Sequence, residues 1–124
     1  PQQVPDPRAR TRLFSSAREG SRHGESGCEA EVFSALDRIH RISQDIGERM
    51  GHVSLAWLLA QPAVTSVIVG GRNAEQARDN AAAGNLSLDE STLAELSAST
   101  ETLKKTMGKN ADMWQAVSRL ERAE

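Results

Sequence analysis

Apolar positions recur along this chain with different rhythms, and each rhythm implies a different element. In "EAEVFSALDRIHRISQDIGERM", residues 29–50, Val32, Phe33, Leu36, Ile39, Ile42, Ile46 and Met50 are spaced mostly by three or four. That spacing is one stripe of an amphipathic helix. Glu29 and Glu31 sit in its first turn and Arg49 near its end, as the helix dipole prefers. Gly51 is the expected stop. His40, beside the stripe, is expected to be a partly buried histidine rather than a ligand. "HVSLAWLLAQ", residues 52–61, is apolar nearly all round, which predicts a short helix buried on most sides and ended by Pro62. "AVTSVIV", residues 63–69, is β-branched and uninterrupted between a proline and two glycines. Such a run predicts a buried parallel strand over about 64–69.

Polar spacing marks the remaining helices. Asn73 and Gln76 stand three apart ahead of a helix expected at 74–83, in capping-box order. Ser87 and Glu90 repeat that order in "SLDESTLAELSAS", where Leu93 and Leu96 give the buried side. Leu103, Met107, Trp114, Val117 and Leu120 keep a helical spacing that breaks near residues 108–110. One or two weak helices are therefore expected in a tail over 101–124, with Trp114 either anchoring its apolar side, the favoured reading, or lining a pocket. Residues 1–28 hold three of the four prolines and no apolar period, which predicts a mobile loop. Within it Arg8, Arg10 and Arg12 are either solvated charges or an anion contact.

Helix, strand and helix in this order are one unit of an α/β architecture. Only one strand is expected, and a lone parallel strand with both edges bare is not a stable sheet. Either a second copy supplies neighbours, or the chain is the C-terminal part of a larger α/β domain. The Met-less, loop-like start "PQQVPDPRAR" favours the second. Taken alone, the chain is expected to be helices around a single strand, poorly stable, with 1–28 loosely placed.

Composition narrows the functional classes. The 124 residues suit one domain, 38% are hydrophobic and only 3% aromatic, so the core is aliphatic. A net charge of -2 argues against a dedicated nucleic-acid binder. The single cysteine, Cys28, forms no internal disulfide, and a reducing, cytoplasmic setting fits it best. No apolar run approaches the roughly 18 residues of a membrane span.

The candidate chemistry lies in "SVIVGGRNAEQARDN", residues 66–80. Gly70 and Gly71 allow close backbone approach, and the helix expected at Ala74 points unpaired N–H groups and a partial positive charge at the turn. Arg72 adds a planar fork suited to phosphate oxygens. Gln76 and Asn80 share a helix face four residues apart and offer amides to a ribose, phosphate or base edge. The arrangement suits an adenosine phosphate across a helix start. The bland alternative stands beside it: the glycines only turn the chain, Asn73 only caps, and Arg72 is only solvated.

Residues 53–100 resemble the C-terminal stretch of the aldo-keto reductase family. The features in order are Ala56-Trp57, Pro62, Ile68-Val69-Gly70, Gly71-Arg72, Gln76, Asn80 and then "LSLDESTLAEL". Residues 29–50 are similar to the preceding helix, so the resemblance covers about 29–100. It implies the C-terminal fragment of a (β/α)8 TIM barrel that binds NADP(H) and reduces carbonyl compounds to alcohols, with residues 66–69 as the eighth strand. It also implies that Gly70, Gly71 and Arg72 face the cofactor phosphates. Arg72 would meet the 2′-phosphate, and Gln76 and Asn80 the adenosine. Residues 1–28 would be a loop that folds over the cofactor. The family's catalytic Asp, Tyr, Lys and His belong to earlier strands. This chain has no Tyr, and His23, His40 and His52 fall in no matching motif, so no catalytic residue is assigned. The expected partner is a small-molecule carbonyl substrate, with no nucleic acid, membrane or metal. Two other readings remain: a non-catalytic nucleotide-phosphate-binding module, and a helical interaction protein without a ligand.

Overall fold

The computed structural model describes residues 11–110 and 112–114. The calls on Arg8, Arg10, Val117 and Leu120 lie outside them. The described residues form five α-helices in order: α1 (Glu29–Asp45), α2 (Met50–Leu59), α3 (Ala74–Ala82), α4 (Glu90–Ser99) and α5 (Glu101–Met107), with a 3₁₀ turn, Ala83–Asn85, after α3. They divide between two compact units.

One unit holds the described residues 11–36, 100–110 and 112–114. Residues 11–28 contain no helix or strand, yet they are fastened at several points. Arg12 is buried and neither solvated nor an open anion contact. Its Nε donates to Glu25 Oε1 at 3.0 Å, and its Nη1 and Nη2 donate to the carbonyls of Asn110 and Met107 at 2.9 and 3.1 Å. A guanidinium with several carbonyl partners satisfies helix-end acceptors that burial would otherwise leave unpaired. The Ser15 N–H donates to Glu29 Oε1 at 2.6 Å, and buried Cys28 rests on Met107, Sγ to Sδ at 3.4 Å. Gly108, at φ 69°, ends α5 in the left-handed region that glycine adopts without strain. Trp114 remains 47% exposed.

The other unit, residues 37–99, holds the C-terminal half of α1 with α2, α3, the 3₁₀ turn and α4. Ile42 from α1, Val53 from α2 and Leu96 from α4 form its core, with Ile39, Trp57, Leu86 and Leu88 against them. The Trp57 indole N–H donates to Ser97 Oγ at 3.1 Å, so the largest side chain of α2 is satisfied where it packs. α2 also packs on α3 and on the 3₁₀ turn.

Four local expectations need correction. α1 stops at Asp45 rather than running to Met50, because Gly47 takes φ 73° and turns the chain; Gly51 lies inside α2. The cap of α4 is Asp89, not Ser87: Asp89 Oδ1 accepts from the Thr92 N–H at 2.7 Å and from Ser91 Oγ at 2.8 Å. A carboxylate directly before the helix wins over a hydroxyl two residues earlier, since it reaches the first-turn donors. His40 is exposed. Finally, no strand forms among the described residues, and 64–69 has no regular structure. A β-ladder needs a partner strand, and no described residue supplies one. Ile68 is fully exposed and Val69 46% exposed. The same lack of cover leaves Leu58 and Leu59 of α2 more than a third exposed. The α/β expectation is thus met only in its helices.

Among the described residues, no helix is long and apolar enough to cross a membrane.

Candidate functional site

The turn between residue 69 and α3 is built by side chains of α3 itself. Asn73 takes extended backbone angles at the N-cap, and its Oδ1 accepts the Gln76 N–H at 2.9 Å. Gln76 then turns back: its Oε1 accepts the Arg72 N–H at 2.8 Å. A capping-box glutamine ordinarily bonds the N-cap residue's own N–H; here it takes the N–H one residue earlier and so holds the turn. One helical turn further on, Asn80 Nδ2 donates to the Gly70 carbonyl at 3.1 Å. Gln76 and Asn80 therefore pin both ends of Gly70-Gly71-Arg72 to one face of α3.

The pinned turn forms one wall of a groove of about 730 Å³. All five residues singled out from the sequence line it: Gly70, Gly71, Arg72, Gln76 and Asn80. Arg72 is exposed, and its guanidinium has no hydrogen-bond or ion-pair partner among the described residues. A Cβ at Gly70 would meet nothing within 4 Å, and one at Gly71 only ordinary contacts with α3, so the turn is open rather than crowded. A second, apolar groove of about 390 Å³ shares Gly71 and Asn80 with the first and is walled by Leu55, Leu59, Val67 and Val69.

Four further residues line the polar groove that the sequence did not propose as site residues: Arg49, Gly51, His52 and Asp79. Arg49 Nη1 pairs with Asp79 Oδ1, and His52 Nε2 lies 3.1 Å from the same oxygen. His52 Nδ1 lies 3.7 Å from Glu48 Oε2. These side chains come from α2, the turn before it and α3, so nothing in their spacing joins them. The available signal was that Arg49 and His52 are three apart at the start of an otherwise apolar helix.

The donor set fits an anionic, hydrogen-bonding ligand. Among the described residues one guanidinium is unpartnered, a helix opens at the turn with first-turn N–H groups free of intrahelical bonds, and the groove's carboxylate already has an arginine and a histidine on it. The volume lies within the roughly 300–1,000 Å³ of small-molecule sites. No three His, Cys, Asp or Glu side chains gather as a metal would require among the described residues.

A family model described as the aldo/keto reductase family matches residues 6–101. A 58-residue stretch is 40% identical to the uncharacterized oxidoreductase YrpG of Bacillus subtilis (strain 168), covering 47% of this chain and 18% of that protein. An 89-residue stretch is 35% identical to the L-glyceraldehyde 3-phosphate reductase of Escherichia coli O157:H7, covering 68% of this chain and 23% of that protein. The chain thus spans about a fifth of the length of these curated relatives.

Proposed function

Because the chain belongs to the aldo/keto reductase family, we propose that its groove takes the adenosine-phosphate end of NADP(H). The protein to which it contributes would then be an NADP-dependent (β/α)8-barrel reductase of aldehydes or ketones. The observation that carries this reading is the convergence of Gly70, Gly71, Arg72, Gln76 and Asn80 on one groove, with the Arg72 guanidinium unpartnered among the described residues. Each residue has a distinct task. Arg72 supplies a charged fork to the 2′-phosphate. The glycines let the phosphate approach the backbone. Gln76 and Asn80 spend one end of each amide holding the turn and keep the other for the nucleotide. When bound, the reduced nicotinamide supplies the hydride. The Asp, Tyr, Lys and His set of the family has no match in these residues, so this segment holds cofactor and does not move the proton.

Titration of the 124-residue chain with NADPH tests the reading, with circular dichroism to confirm folding. Saturable binding is expected, and Arg72→Ala is expected to weaken it about tenfold or more, as loss of a charged hydrogen bond of about 1.5–3 kcal/mol implies. An affinity that ignores Arg72 would refute it.

A further inference from the structure

We infer that Arg49 is a second phosphate-contacting residue of the polar groove and sets its preference for a nucleotide that carries the 2′-phosphate. The inference rests on the nucleotide reading above. Arg49 stands directly before α2 and lines the same groove as Arg72. Its head is held in place from α3, because Asp79 Oδ1 engages Nη1. Arginine carries five N–H donors in a planar fork, so a bond through one nitrogen orients the fork without using it up. The side chain remains 70% exposed although it is ion-paired.

Charge matching favours a second cation. A phosphate monoester carries about −1.5 to −2 at neutral pH, so Arg72 alone leaves it undercompensated. Among the described residues lining the groove Asp79 is the only acidic one, beside two arginines and His52. The wall is therefore positive overall, as an anion site requires. The head of Arg49 is held by Asp79, and Gln76 and Asn80 hold the backbone on which Arg72 stands. Pre-set groups lose less freedom on binding, which favours affinity. A nucleotide without the 2′-phosphate gains less from the second cation, so Arg49 acts on preference. The ion pair itself is exposed and contributes little to folding.

The experiment compares NADPH and NADH binding to the 124-residue chain at fixed salt. It uses the wild type, Arg49→Ala, Arg72→Ala and a control, Arg41→Ala, on the exposed side of α1. Arg49→Ala is expected to lose about three- to tenfold more affinity for NADPH than for NADH, while Arg41→Ala changes neither. If Arg49→Ala weakens both nucleotides alike, or neither, while Arg72→Ala still weakens NADPH, the inference falls and the nucleotide reading stands. If Arg72→Ala also leaves NADPH binding unchanged, or the wild type binds neither nucleotide, both fall. Should Arg49→Ala fail to fold, Arg49→Gln is read in the same way.

Discussion

Asn80 reaches back ten residues along the chain to Gly70, donating its side-chain N–H to the glycine carbonyl at 3.1 Å. With Gln76 on the Arg72 N–H at 2.8 Å, this makes α3 the clamp of the turn that precedes it. A Gly-Gly turn has more conformational freedom to lose than any other dipeptide, and two side-chain bonds from one helix face restrict it.

Gln76→Ala removes the acceptor for the Arg72 N–H. Amide exchange at Arg72 is expected to speed up, while Gln76→Glu, which keeps an acceptor, retains protection. The bond is exposed, so the stability lost is expected to be no more than about 1 kcal/mol. Exchange rates followed by NMR, alongside urea unfolding, check both parts.

Asn73→Ala tests the cap on which the site is built. Loss of the bond from Oδ1 to the Gln76 N–H is expected to cost about 1 kcal/mol, and Asn73→Gly only a few tenths. Urea midpoints of the two variants measured side by side give the difference.

Val53 is fully buried and sits in the core with Ile42 and Leu96. Val53→Ala is expected to destabilise by about 2 kcal/mol, from roughly 0.8 kcal/mol per buried CH₂ plus the cavity left behind. Leu58→Ala, at a site 37% exposed, is expected to cost distinctly less in the same denaturation assay.

Acid stability depends on the cap of α4. The Thr92 N–H, and after it the Ser91 hydroxyl, hold the Asp89 carboxyl below its ordinary value of 3.8. A folded-state value below the unfolded one means the unfolded chain binds the proton more readily. The contribution of Asp89 is therefore complete above the ordinary value and is lost as pH falls through the lowered one. Asp89→Asn keeps an acceptor but cannot titrate, so its unfolding midpoint is expected to fall less steeply with acid than that of the wild type.

How much of this was readable in the residues depends on range. The helices were legible because their signals are local: the stripe from Val32 to Ile42, the cap at Asn73 and the stop at Pro62 each act within a few residues. The ends were less legible because several local signals compete, as Gly47 with Gly51 and Asp89 with Ser87 show. The strand expected at 64–69 depends on a ladder partner, which a β-branched run cannot provide for itself. The groove was half legible. Residues 70–80 are contiguous in sequence, whereas Arg49 and His52 join Asp79 only once α2 packs on α3.

The most direct measurement of the central claim is an NMR titration of the chain with adenosine 2′,5′-bisphosphate, followed at each backbone amide. Binding at the turn between residue 69 and α3 is expected to shift the amides of Gly71, Arg72, Ala74 and Glu75 most, with weaker effects toward His52. Shifts centred on residues 11–28, or amides of 70–76 that stay still at saturation, would contradict it.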